Sequence, residues 1–324
     1  MAKRDNTKKK SSSATSKARA KKTSAASTTK KRTTKSKAAP KKAAATKKST
    51  KAKATTKAAD KKAATSKKTT VKKPQFDALR SLHVLAVAAF GGLIAFIYTL
   101  MEPIERSVGI SFAADDALRG EGVLAPAVRE LFTFDLRHGL TVLLGIAILY
   151  SVYVATIGWK KYEQKLASAS SVLASRWIFA GVTGAVAVEL AAVAVGMYDL
   201  LVIKLLAIAI LAASYFAYRA DKETDQPVKG RYFLAAVVSA AIAIIAVSTF
   251  IAVSMVYGAF LSWYVYLALD FLALGLLGYA VNQLFSLRGR KGFTDLKIVE
   301  RNYAIITLLA GALFVGMIII STQV

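Results

Sequence analysis

A boundary at Pro74 divides the chain into two parts of opposite chemistry. Residues 1–74 hold 27 of the 46 lysines and arginines and only two acidic residues, so they carry +25 of the formal net charge of +27. The following 250 residues are nearly neutral and contain repeated long apolar runs. Runs of 18 residues or more are typical of membrane-spanning helices. The sequence therefore predicts a polycationic tail, residues 1–74, followed by a membrane domain, residues 75–324.

The tail consists almost entirely of Lys, Ala, Thr and Ser and contains no aromatic residue. Such a segment cannot bury enough apolar surface to offset the loss of chain entropy, so we expect it to be disordered. Its composition resembles that of linker-histone tails. Nucleic acid would bind it through phosphate neutralisation, and anionic lipid headgroups would attract the same lysines. The sequence does not decide between these two partners. A third alternative is that the tail has no partner and only enforces membrane topology.

Seven apolar segments of the membrane domain are each long enough to cross a hydrocarbon layer of about 30 Å. The predicted spans are approximately 79–101, 139–158, 176–197, 199–218, 232–255, 259–285 and 302–321. The fold class that follows is an all-α integral membrane protein, a bundle of seven transmembrane helices embedded in a lipid bilayer. Residues 102–138 form the one long connection, which we predict to be an external loop.

The charges of the connections predict the orientation of the bundle. Lysines and arginines concentrate in the tail and in the connections after the second, fourth and sixth spans. All of these fall on one side of the membrane if seven spans alternate, whereas the 102–138 loop is acidic. Because basic connections stay in the cytoplasm, we expect a multi-pass cell-membrane protein with a cytoplasmic N-terminus and an external C-terminus.

Short motifs in the spans resemble those of the heliorhodopsins, a seven-helix family with the same orientation. The third span opens with Arg176-Trp177, and it ends in a Gly-x-x-Asp turn at 196–199. The last span opens with Glu300-Arg301-Asn302-Tyr303 after the basic, glycine-containing segment 288–292. The resemblance covers about residues 78–322 and leaves the tail outside. It implies a rhodopsin-like helical bundle and a homodimer.

Two positions depart from the family pattern. The resemblance implies a retinal-binding lysine in the middle of the last span, where this chain has Gly311, and no lysine follows Lys297. It also implies a counterion glutamate two residues after the Arg-Trp pair, where this chain has Phe179. A protonated Schiff base in a low-dielectric core needs a carboxylate partner, so the two losses are coupled. We therefore expect no covalent retinal and no other cofactor.

Three ionisable residues within the predicted spans are candidates for function: Glu189, Lys204 and Asp270. Glu189 and Lys204 lie on either side of the tight turn between the third and fourth spans, so we expect them at similar depth. The sequence leaves four interpretations of Glu189 and Lys204: a structural ion pair, a proton or ion relay, side chains that snorkel toward the membrane surface, and a substitute retinal attachment at Lys204. Asp270 is either a satisfied buried acid or a substrate or proton site.

The sequence offers little chemistry beyond these residues. It contains no cysteine and two histidines, and no nucleotide-binding loop, metalloprotease motif or Ser/His/Asp set, so neither a metal site nor an enzyme is expected. The leading hypothesis is a non-enzymatic sensor, adaptor or anchor whose tail binds a polyanion. The alternatives are a transporter or channel that uses Glu189 and Asp270, and a photoreceptor with an unusual retinal attachment site.

Overall fold

The computed structural model describes residues 77–115, 124–156, 158–167 and 174–323. Within these residues, seven helices are long and apolar enough to cross a membrane, as the sequence predicts. They are α1 (Ala78–Leu100), α2 (Leu136–Ala155), α4 (Ala174–Ala194), α5 (Leu200–Lys222), α6 (Gln226–Val256), α7 (Trp263–Leu287) and α8 (Leu296–Ser321). The predicted disorder of residues 1–74 concerns a segment outside the described residues.

Aspartates determine where several of these helices begin. The side chains of Asp77, Asp135, Asp199 and Asp295 accept hydrogen bonds from the backbone N–H groups of the first turns of α1, α2, α5 and α8. These N–H groups have no partner within the helix, so the carboxylates stabilise each helix start. Helices α6 and α8 begin six residues earlier than their predicted spans, because a count of apolar residues overlooks polar first turns.

Each helix packs mainly against its neighbours in sequence, and the bundle closes where α8 packs on α1. Helix α6 packs along α5 and α7 packs along α8, whereas α6 and α7 touch over only a short stretch. The largest buried cluster joins α1, α2, α4 and α8 and includes Phe90, Leu140, Leu144 and Phe314. The bundle interior is therefore densely packed on the side of α1, α2 and α8.

The predicted external loop forms an antiparallel β-hairpin of β1 (Glu105–Asp115) and β2 (Leu124–Asp135). A bulge interrupts the register between Val108 and Gly109. The Gly109 N–H donates to the Tyr198 carbonyl at 3.0 Å, and its missing side chain leaves room for the Tyr198 ring. The hairpin is thus fastened to the turn between α4 and α5, and we call this end of the bundle the hairpin end.

At the opposite end a short helix, α3 (Trp159–Ala167), occupies the connection between α2 and α4, which the sequence predicted only as a basic link between two spans. Its Tyr162 and Leu166 are buried against Leu79 of α1 and Val154 of α2. Arg80 Nε donates to the Ala155 carbonyl at 2.8 Å next to this contact. Helix α3 therefore packs across the bundle end formed by the start of α1 and the end of α2.

Candidate functional site

A cavity of about 160 Å³, the central cavity, lies between the helices, and all seven spans contribute to its wall. The wall is built mostly of small and apolar side chains. These include Phe90, Leu143, Ala187, Ile210, Ala236, Ala240, Leu272, Gly275, Ala310 and Phe314. The described part of the chain contributes no Lys, Arg, Asp or Glu to this wall. The site is therefore suited to apolar contact rather than to charge recognition.

The polar groups of the wall are largely bonded within the protein. Thr307 Oγ1 lies 2.5 Å from the Tyr279 hydroxyl and donates to the Tyr303 carbonyl at 2.9 Å. Thr183 Oγ1 donates to the Phe179 carbonyl at 2.7 Å. Buried polar groups satisfied in this way offer little to a charged ligand.

Gly311 and Phe179 both lie in the wall of the central cavity. A Cβ added at Gly311 would meet Phe90 Cε1 at 3.4 Å, so the glycine leaves space that a side chain could enter without displacing backbone. Phe179 is 8% exposed and stacks on Tyr150, with ring centroids 4.1 Å apart and planes 7° apart. Aromatic packing thus occupies the position where the resemblance implies a carboxylate.

An ion network lies beside the central cavity at the end opposite the hairpin. Arg176 forms salt bridges with both Asp221 of α5 and Glu300 of α8. The Tyr162 hydroxyl of α3 donates to Glu300 Oε2 at 2.8 Å. Gln283 Nε2 of α7 donates to Asp221 Oδ1 at 3.0 Å. Five helices therefore meet at one guanidinium and two carboxylates.

Aromatic rings enclose the Arg176 guanidinium. Its Cζ lies 4.8 Å from the Trp177 ring centroid and 4.5 Å from that of Tyr303. Trp177 Nε1 also donates to Asp221 Oδ2 at 2.7 Å. Burial raises the pKa of Tyr162 in α3 well above its usual value, so this phenol remains a hydrogen-bond donor to Glu300. Trp177 belongs both to the cavity wall and to the network.

Glu189 and Lys204 meet on the hairpin-end side of the bundle. Lys204 Nζ donates to Glu189 Oε1 at 2.7 Å. The Lys204 side chain is 55% exposed and the Glu189 side chain 25% exposed. The two residues therefore form an ion pair between α4 and α5, outside the central cavity. Neither residue contributes to the wall of the central cavity.

Asp270 lies on the outer surface of α7, so its interpretation as a satisfied buried acid is wrong. The helical rise places it about 10 Å beyond Trp263, the first residue of α7. Among the residues that the structure describes, it forms no salt bridge and no side-chain hydrogen bond, and it does not line the central cavity. The described residues also contain no cluster of potential metal ligands.

Seven membrane-spanning helices around an interhelical cavity define a rhodopsin-type membrane protein. A family model described as Heliorhodopsin matches residues 51–322. This match includes most of the chain, which therefore belongs to the heliorhodopsin family. The match begins within the basic tail, so the predicted limit of the resemblance at residue 78 lies too far along the chain.

The fold is also similar to a solved structure, the transmembrane domain of the rhodopsin phosphodiesterase of Salpingoeca rosetta. The TM-score is 0.55 at 11% sequence identity, over 76% of this chain and 85% of that chain. A likeness at this identity supports the seven-helix fold alone. No curated protein matches the chain.

Sequence reasoning missed three members of the ion network: Asp221, Tyr162 and Gln283. Asp221 lies next to other charged residues in the last turn of α5, so the sequence pattern predicts an exposed residue there. Its partner Arg176 is 45 residues away, and Tyr162 lies 138 residues from Glu300. The one available signal was Gln283, a polar residue about one turn inside the end of the apolar helix α7.

Proposed function

We propose that this protein is a non-enzymatic membrane sensor that binds a neutral, slender apolar molecule without a covalent bond. We further propose that it forms no retinal pigment at the usual site of its family. The observation that carries this proposal is the central cavity, whose wall contains Gly311 and Phe179. These are the positions where the family resemblance implies a lysine and a glutamate. Engineered apolar cavities of about 150 Å³ are known to bind small apolar molecules.

The wall favours a neutral ligand because it offers no charged partner. An ionised group transferred from water into such a site would lose its hydration without compensation. An apolar molecule instead gains from the removal of its surface from water, and the lipid phase around the helices provides a reservoir of such molecules.

The ion network supports a sensing role. An occupant of the cavity would touch Trp177, Tyr279 and Gln283. Trp177 and Gln283 donate to Asp221, which is joined through Arg176 to Glu300 and Tyr162. A ligand that binds one arrangement of these side chains better than another shifts the equilibrium between them. We infer that the output lies at the end of the bundle covered by α3.

Binding can be tested with all-trans retinol, a fluorescent neutral polyene. We expect saturable energy transfer from tryptophan to retinol, because Trp177 lies in the cavity wall. Ala240→Phe should abolish it by filling the cavity, whereas Val238→Phe on the exposed face of the same helix should not. Equal transfer in both variants would contradict binding in the central cavity.

We propose a second role for residues 1–74, which carry +25 of formal charge. With the cytoplasmic orientation that the basic connections favour, this tail faces nucleic acid and anionic lipid headgroups. The high charge without stacking side chains favours nucleic acid bound through phosphates, with no preference for sequence. The tail would then anchor a polyanion at the membrane.

The tail proposal is tested with the full chain and a variant that begins at Gln75, both in zwitterionic and in anionic lipid discs. If about ten phosphates are engaged, the slope of log affinity against log salt on duplex DNA should be about −9. Equal DNA binding by both proteins would rule out the tail. Binding of the full chain to anionic discs alone would assign the tail to lipid.

A further inference from the structure

Helix α7 presents one straight row of exposed residues on the outside of the bundle, which we call the α7 face. Trp263, Leu274 and Leu277 are each more than half exposed, Val281 is 38% exposed, and the exposed Asp270 belongs to the same row. At about 100° per residue, these five positions fall within about 60° of the helix circumference and extend over about 27 Å along its axis. The α7 face is therefore long enough to cross most of a hydrocarbon layer.

The spacing of the α7 face is that of a seam between two packed helices. With the half-buried Leu267 included, its residues follow one another from 263 to 281 in alternating steps of four and three. Such steps define the positions along which two helices pack side by side. Helix α8 packs on another side of α7, at Gly275 and Gly278, and α6 touches α7 over only a short stretch. The α7 face thus has the geometry to accept one more helix.

Asp270 distinguishes the α7 face from an ordinary surface that faces lipid. It lies about 10 Å along the helix from Trp263, and the other residues of the face are apolar. Within the described ranges of the chain, Asp270 has neither a salt bridge nor a side-chain hydrogen bond. A carboxylate against hydrocarbon is unfavourable, and acidic residues within membrane spans are as a rule paired. The face therefore fits a partner that brings a positive charge to this depth.

A second copy of this chain offers no free cation at that depth. In the hairpin-end half of the described spans the cations are Lys204 and Arg137. Lys204 already donates to Glu189 at 2.7 Å, and Arg137 already pairs with Asp135 at 2.7 Å. A small cation from water would lose its hydration on the way to Asp270. The charge therefore favours a membrane-spanning helix of another protein.

We propose that the α7 face docks a single membrane-spanning helix of a different protein, which carries one lysine or arginine at the depth of Asp270. Apolar side chains of the partner pack along Leu274, Leu277 and Val281, and its cation pairs with the Asp270 carboxylate. Docking does not depend on an occupant of the central cavity, so it adds a protein partner to the proposed sensor.

The probe for this site is a synthetic peptide of one span, a leucine–alanine helix with a single arginine about 10 Å from one end. A matched peptide carries leucine at that position. Because the chain contains no cysteine, Gln323→Cys, at an exposed position after α8, accepts a donor dye. Energy transfer to acceptor-labelled peptide in lipid vesicles then gives the affinity. We expect the full-length protein to bind the arginine peptide about tenfold more tightly than the leucine peptide, as a polar contact between membrane helices suggests.

Two matched variants separate the contact from general electrostatic attraction. Asp270→Asn keeps the shape of the side chain and should remove the preference for the arginine peptide. Glu102→Gln removes an exposed negative charge outside α7 and should retain that preference. Asp270→Lys should reverse it in favour of a peptide with glutamate at the same position.

Three outcomes would overturn the inference. The first is equal binding of the arginine and leucine peptides by the protein with native Asp270. The second is loss of the preference in both Asp270→Asn and Glu102→Gln, which would indicate attraction by net charge. The third is energy transfer between two labelled copies of the chain that Asp270→Asn abolishes, because the α7 face would then be an interface between copies.

Discussion

Lys204 of α5 donates a hydrogen bond to Glu189 of α4, with 2.7 Å between Nζ and Oε1. The two residues lie on opposite sides of a tight turn, so antiparallel helices bring them to similar depth. The pair neutralises two charges that would each be unfavourable inside a bilayer. Its position outside the central cavity favours a structural role.

Removal of one partner of this ion pair should therefore lower the free energy of unfolding more than removal of both. Glu189→Gln leaves Lys204 unpaired, and we expect the free energy of unfolding to fall by about 2 kcal/mol, because a lone charge within the span is disfavoured. The double variant Glu189→Gln, Lys204→Gln should recover part of this loss. Unfolding in bicelles measures each variant, and additive losses would show that the contact contributes nothing.

This pair also shows what the sequence can predict. Similar depth follows from chain topology alone. The resemblance implies that positions 179 and 311 serve one Schiff base, and the structure places both in the wall of the central cavity. The hairpin was predictable in part, since Val108, Ile110 and Phe112 alternate with small or polar residues as in a strand. The contact of Asp221 with Arg176 was not, because it depends on rotamers and on helices that meet far apart in sequence.

Introducing the lysine and the glutamate that the family resemblance implies should produce a pigment. Gly311→Lys with Phe179→Glu provides an attachment point and a counterion in the same cavity wall. We expect this double variant to form a visible retinal band, and Gly311→Lys alone to give at most a near-ultraviolet band, because no carboxylate stabilises the protonated Schiff base. Absorption spectra after addition of all-trans retinal measure both.

The matched control for the pigment is Leu309→Lys, which places a lysine on the exposed face of the same helix. It should form no stoichiometric band. A stable visible pigment in the native protein would contradict the proposal that the usual site no longer binds retinal covalently.

The loss of stability should depend on which residue of the ion network is replaced. Arg176→Met leaves the buried Glu300 and the partly buried Asp221 without their shared partner. We expect a loss of about 3–5 kcal/mol in unfolding free energy. Glu300→Gln keeps one guanidinium opposite one carboxylate, so its loss should be clearly smaller. Thermal unfolding in detergent compares them with Arg301→Gln, an exposed neighbour. Equal losses for Arg176→Met and Glu300→Gln would contradict this account of the charge balance.

The cap of α5 should make stability depend on pH. Hydrogen bonds from Ser111, above all, and from Val202 and Leu201 hold the pKa of Asp199 below its ordinary value of 3.8. A lowered pKa stabilises the folded state above 3.8, and this stabilisation is lost as pH falls further below that value. Asp199→Ala should therefore cost about 1 kcal/mol at pH 7 and progressively less in acid.

Asp225 provides the control for this prediction. It occupies the same position before α6 but forms no side-chain hydrogen bond to the helix. Asp225→Ala should leave thermal stability nearly unchanged at every pH. A cost of Asp199→Ala that stays constant down to pH 2.5 would contradict the role of the ionised carboxylate.

Asp270 offers the sharpest distinction between a structural and a transport role. It is exposed on α7 about 10 Å beyond the helix start, with no partner among the described residues. A carboxylate that faces hydrocarbon is unfavourable, so Asp270→Leu should raise the free energy of unfolding by about 2 kcal/mol. The reciprocal variant Leu274→Asp, one turn farther along the same exposed face, should lower it by a similar amount. Both are measured by unfolding in bicelles, next to an ion-flux assay in vesicles. Destabilisation by Asp270→Leu together with loss of a measurable flux would instead assign Asp270 to an ion path.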